Sequence, residues 1–104
     1  MGITDIRQMC LNKQLRWTQH ILIRLLQRNI TTADVIQAIS SGEIIEEYQD
    51  DYPNPSCLIL GLSMNEQPLH IVCGIGDNEL WLITAYYPSP DEWLEDLKTR
   101  RITK

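Results

Sequence analysis

The 104-residue chain, 43% hydrophobic and 22% charged, carries enough apolar material for one core, so a single domain spanning 1–104 is expected rather than a disordered chain. A formal net charge of −5 excludes a protein that neutralises phosphates along a long stretch of nucleic acid. The longest apolar runs, such as Cys57–Leu62, are too short to span a bilayer. MGITDIRQMC is no secretory signal, and Cys10, Cys57 and Cys73 have no paired spacing, so a reduced, cytoplasmic protein without membrane contact is expected.

The pattern is helical up to about residue 42. Ile6, Met9 and Cys10 predict a short helix over 4–14 with Thr4 as its cap. Residues 18–28 predict a second, with Thr18 as N-cap, Asn29 as stop and an apolar stripe of Ile21, Leu22, Leu25 and Leu26. Thr31 and Asp34 have capping-box spacing and start a third helix, which buries Val35, Ile36 and Ile39 and stops with Gly42 at its C′ position. Alternation then takes over. Ile44–Tyr48 reads as an acidic edge strand, 49–56 as a loop, and Cys57–Met64, Leu69–Gly74 and Leu80–Tyr86 as three strands joined by short polar turns. Ser89-Pro90-Asp91-Glu92 combines an N-cap, a proline at the first helical position and a glutamate two residues later, and predicts a last helix over Pro90–Arg100 with Trp93, Leu94 and Leu97 in the core. The expected fold is α+β: N-terminal helices and a C-terminal helix on a four-stranded, mainly antiparallel meander.

Charge is segregated along the chain. Arg7, Lys13, Arg16, Arg24 and Arg28 lie in residues 1–30, and Lys98, Arg100, Arg101 and Lys104 in the last seven. Residues 31–97 hold no Lys or Arg and 13 of the 14 carboxylates. If the two ends meet, they form one cationic surface that attracts anions. The helix dipole equally accounts for the cations at the C-terminus.

Three groups of residues carry chemistry. His20, Arg24 and Arg28, four apart, share one ridge of the second helix. Arginines bind phosphate oxygens in pairs, and a histidine moves protons near neutral pH; an ordinary solvated helix face explains the same pattern. His70 alternates with Leu69 and Ile71 on a strand, where a hydrogen-bonded structural histidine is the usual case. Tyr86, near the end of a strand, has a phenol suited to hydrogen bonding or to stacking on a base. No metal-ligand spacing and no glycine-rich phosphate loop is present, so no metal and no cofactor are expected. Glu43, Glu46, Glu47, Asp50 and Asp51 read as a solvated edge that discourages sheet-to-sheet pairing.

Thr18-x-His20-x-x-x-Arg24-x-x-x-Arg28-x-Ile30-Thr31, Val35, Gly42-Glu43-Ile44, Tyr48, Pro68-Leu69-His70-Ile71-Val72, Ile83-Thr84-x-Tyr86-x-Pro88 and Trp93 together resemble a family of small, mainly bacterial domains, domain of unknown function 4258. The resemblance covers about 17–98 and leaves 1–16 as an N-terminal helical extension. A looser, fold-level similarity links the chain to RelE-like ribonuclease toxins. That similarity implies metal-independent RNA cleavage, with His20 or His70 as acid or base, Arg24 and Arg28 on the phosphate, Tyr86 stacking a base or assisting proton transfer, and an antitoxin-like protein as partner. Such toxins are usually basic, and this chain is not.

Two functions are therefore in view. One is a toxin-like, metal-independent ribonuclease or an RNA- or phosphate-binding protein, which requires His20, Arg24, His70 and Tyr86 to converge on one concave face. The other is a non-catalytic module that binds a protein segment or a small anion, with the strand around Glu43–Tyr48 free to accept a partner strand or to pair with its twin in a homodimer.

Overall fold

A computed structural model describes residues 2–102. Three helices, α1 (Ile3–Leu11), α2 (Gln19–Arg28) and α3 (Thr32–Ser41), and five strands, β1 (Leu15–Trp17), β2 (Glu43–Tyr48), β3 (Ser56–Leu62), β4 (Pro68–Gly76) and β5 (Glu79–Tyr86), form an α+β fold. The sheet order is β1-β5-β4-β3-β2. β2 to β5 make the expected antiparallel meander, and β1 adds a fifth strand parallel to β5, with Trp17 opposite Leu82. Three residues are too few to show alternation, which is why the sequence reads β1 as a connector.

The helix ends follow their caps. Thr18 Oγ1 accepts the Ile21 amide at 3.2 Å, and its hydroxyl donates to the Leu82 carbonyl, which pins the start of α2 to β5. Asn29 ends α2 in the left-handed conformation, at φ 56°. Thr31 and Asp34 form the capping box, and the second carboxylate oxygen of Asp34 accepts the Met64 amide, tying α3 to the β3–β4 turn. Two expected caps differ. α1 begins at Ile3 with Gly2 as its cap and Thr4 inside it, and Asp5 accepts the Gly2 amide. Gly42 follows α3 in extended backbone, so space rather than handedness demands glycine there. A Cβ would meet the Ala38 carbonyl oxygen at 2.5 Å and the Ile59 side chain at 2.7 Å.

All three helices cover one face of the sheet. Ile6, Ile21, Leu25, Val35, Ala38 and Ile39 meet Cys57, Ile59, Leu69, Ile71, Leu80 and Leu82 there. Leu22 and Leu26 belong to the expected apolar stripe of α2 but remain exposed. The helix touches the sheet along one line only, through Ile21 and Leu25.

The expected C-terminal helix over Pro90–Arg100 does not form. Residues 87–102 run as an irregular strap over the face of the sheet opposite the helices. Its start keeps the predicted turn: Ser89 caps the Asp91 amide, and its carbonyl accepts from Glu92 and Trp93. Asp96 then accepts the Lys98 and Thr99 amides, Leu97 adopts φ 60°, and the chain doubles back to bridge Trp93 with Arg100. A short polar side chain that bonds its own backbone competes with helix continuation. Burial of Trp93 (2% exposed) on the sheet decides the outcome.

The charge segregation resolves by pairing across the fold. Arg7 donates to the Ile39 and Gly42 carbonyls at the end of α3. Arg16 meets Glu79 at 2.8 Å, Lys98 meets Glu43 and Arg100 meets Glu46. Among the described residues, no helix is long and apolar enough to cross a membrane.

Candidate functional site

Strand register sets His70 directly opposite Tyr86 across β4 and β5, on the strap face. His70 is fully buried. Its Nε2 lies 2.8 Å from the Leu97 carbonyl oxygen and its Nδ1 lies 3.3 Å from the Tyr86 hydroxyl. A carbonyl only accepts, so Nε2 carries the proton and Nδ1 accepts from the phenol. Trp93 packs edge-on against the imidazole at 4.6 Å, and the Arg100 guanidinium lies 4.6 Å over the indole. Arg100 in turn makes a forked contact with Glu46 at 2.9 and 3.0 Å, and the Tyr48 hydroxyl donates to the same carboxylate.

Arg28 reaches this side from the other layer. β1 pairs β5 only as far as Leu82, which leaves the outer edge of β5 without a strand neighbour beyond it. The last turn of α2 lies there, and Arg28 Nη1 donates to the Ala85 carbonyl at 2.7 Å and to the Thr84 hydroxyl at 3.3 Å. The result is a cleft of about 380 Å³ lined by Arg28, Tyr86, Tyr87, Glu92, Trp93 and Arg100. Residues from both basic ends of the chain thus meet in one place.

The two guanidiniums differ electrically. Glu46 compensates the charge of Arg100. Arg28 is held by two uncharged oxygens and forms no ion pair among the described residues. Burial depresses the His70 pKa, only partly opposed by the Leu97 carbonyl and by Glu46, so the imidazole is neutral. Burial raises the Tyr86 pKa and keeps it a phenol. Burial also pushes the Glu46 carboxyl up, but hydrogen bonds from Arg100 and Tyr48 outweigh this and leave it below its ordinary value. Tyr48, partly buried and bonded to that carboxylate, is raised to about 12.

Of the five residues singled out in the sequence, the fold gathers Arg28, His70 and Tyr86. His20 and Arg24 stand apart. His20 is exposed in the first turn of α2, about 12 Å along the helix axis from Arg28. Arg24 bonds Gln27 on the same helix. α2 packs on one face of the sheet and His70 points from the other, so the expected two-histidine hollow does not exist. Trp93, Arg100 and Glu46 are not recognisable as site residues from the sequence. In the sequence Trp93 stands only in the family-like motif and Arg100 only among the C-terminal cations, and Asp96 with Lys98 and Thr99 marks a turn where a helix is expected. Among the described residues, no group of three or more His, Cys, Asp or Glu is placed to hold a metal ion.

The family model for a domain of unknown function, DUF4258, matches residues 17–87, and the chain belongs to that family. The matched span holds Arg28, Glu46, His70 and Tyr86 and ends at Tyr87, the first residue of the strap. No curated protein and no solved structure matches the chain.

Proposed function

We propose that the cleft binds the phosphate of a single-stranded RNA. Arg28 holds the phosphate oxygens, Tyr86 donates or accepts a hydrogen bond, and Tyr87, 44% exposed, provides a surface for a base. The observation that carries this reading is that Arg28, without an ion pair among the described residues, lines a cleft with three aromatic side chains and Arg100, in which Glu92 is the one carboxylate. The acidic body restricts the contact to one or two phosphates, in keeping with a small footprint rather than a duplex groove. Fluorescence anisotropy of a short labelled RNA tests it. Binding should weaken with salt at a slope near −0.7 to −1.4, as expected for about one or two phosphates. Arg28→Ala should abolish binding and His20→Ala should leave it intact. Binding of inorganic phosphate without RNA would leave a small-anion module, and no binding of either would refute the reading.

The hydrogen bond from Tyr86 to His70 favours a second, more specific reading, metal-independent RNA cleavage of the toxin-like kind. The RNA 2′-hydroxyl passes its proton to the Tyr86 oxygen while the phenol proton moves to Nδ1 of His70. The 2′-oxygen bonds to phosphorus as the bond from phosphorus to the 5′-oxygen breaks, the departing 5′-oxygen takes a proton from water, and the hydroxide so formed recovers the proton of His70 Nδ1 through the Tyr86 hydroxyl. Cleavage in the presence of a chelator, lost in Tyr86→Phe while RNA binding remains, supports it. An RNA that stays intact under the wild-type protein refutes it.

A further inference from the structure

We infer that the solvent side of α2 is a docking surface for an acidic amphipathic helix of another protein. Leu22, Ile23 and Leu26 are 41%, 48% and 85% exposed on a helix only ten residues long. The spacing i, i+1, i+4 places them along one side of that helix, the pattern of a helix–helix seam. Next to them a groove of about 420 Å³ runs between α2 and the start of α3, with Leu25 and Ile30 in its floor and Thr31 and Thr32 on its rim. It is almost wholly apolar because the left-handed turn at Asn29 drops Ile30 into the core and leaves Leu26 outside. Exposed apolar patches of this kind mark interaction sites.

Charge selects the occupant. From residue 6 to residue 33 the chain has no carboxylate, although it has 14 in all. Ile23 separates the leucines from the row formed by His20 and Arg24, and neither of those residues forms an ion pair among the described residues. A partner helix that lays leucines or isoleucines on Leu22, Ile23 and Leu26 meets the Arg24 guanidinium on one flank and no carboxylate of α2, so carboxylates on that flank add attraction and steer the encounter. A second copy fits poorly, because its own α2 has no carboxylate to offer Arg24. The apolar patch runs about 6 Å along the axis from Leu22 to Leu26, enough for roughly one to two turns of a partner.

The test uses two synthetic helical peptides that share leucines at i, i+3, i+4 and i+7 and differ only in having Glu or Lys beside them. The full chain should bind the Glu peptide at least tenfold more tightly than the Lys peptide. Leu26→Glu should abolish that binding, and Arg24→Glu should reverse the preference. Leu26 is outside the cleft, so Leu26→Glu should leave RNA binding unchanged, which keeps this proposal separable from the previous one. Equal affinity for both peptides, no binding of either, or binding that survives Leu26→Glu overturns it. So does a mass that rises with protein concentration and returns to the monomer in Leu26→Glu, since the occupant is then a second copy.

Discussion

The Leu97 carbonyl oxygen accepts a hydrogen bond from His70 Nε2 at 2.8 Å, joining the middle of β4 to the strap. With Nδ1 engaged by Tyr86, both ring nitrogens are satisfied and one neutral tautomer is fixed. The imidazole is thus an anchor for the C-terminal residues as well as a wall behind the cleft.

His70→Ala removes this anchor. It leaves the Leu97 carbonyl and the Tyr86 hydroxyl without partners and opens a cavity beside Trp93. A loss of roughly 2–4 kcal/mol is expected from urea unfolding. Faster amide exchange across residues 93–100 should accompany it. A loss below about 1 kcal/mol would show that the strap does not depend on His70.

Stability should fall in mildly acidic solution. The folded pKa of His70 is below its ordinary value of 6.5, with burial as the main cause, so the unfolded chain binds the proton more readily. Stability is full above pH 6.5 and declines as pH falls from there toward the folded pKa. Tyr86, Glu46 and Arg100 face the ring from the neighbouring elements. Asp34 and Glu46, both below their ordinary values, add a separate loss under about pH 4. Urea midpoints measured against pH should show both steps, and His70→Gln should remove the first alone. An unchanged first step in that variant would assign it to another group.

The two ion pairs that hold the strap to β2 should differ in weight. Lys98 and Glu43 are both about half exposed, and Lys98→Ala should leave the unfolding midpoint nearly unchanged. Arg100 bonds a Glu46 side chain that is only 22% exposed and also covers Trp93. Arg100→Ala should cost on the order of 1 kcal/mol after allowance for solvent screening, with a smaller effect at high salt. Equal effects of the two substitutions would contradict this division.

Gly61 on β3 lies against the Ala38 backbone of α3, where a Cβ would overlap the Ala38 carbonyl group. Gly61→Ala should push α3 off the sheet and destabilise the fold by roughly 1–3 kcal/mol. The thermal midpoint reports it, and an unchanged midpoint would mean that α3 shifts freely.

The parts of the molecule governed by local chemistry are readable from the sequence. Thr18 and Asn29 bound α2, Thr31 and Asp34 start α3, and alternation from Cys57 onward lays out the meander. The parts governed by long-range competition are not. Ser89-Pro90-Asp91-Glu92 does begin a turn, but burial of Trp93 and the Asp96 turn decide how the chain continues beyond it. Leu22 and Leu26 look like core by spacing, although only tertiary packing determines how wide a stripe the sheet covers. In the site, Arg28, His70 and Tyr86 are identifiable from residue type and position. Their convergence depends on where β1 ends, and the link between Arg100 and Glu46 crosses more than half the chain.

The family match ends at Tyr87, whereas one wall of the cleft begins after it. A fragment cut where that match ends, after Tyr87, would retain Arg28 and Tyr86 but uncover Leu58, Leu60 and His70 on the stripped face. Such a truncation should aggregate, and any failure to bind RNA would then reflect the missing tail rather than the chemistry of the domain. The dissection of this chain therefore has to keep its last sixteen described residues.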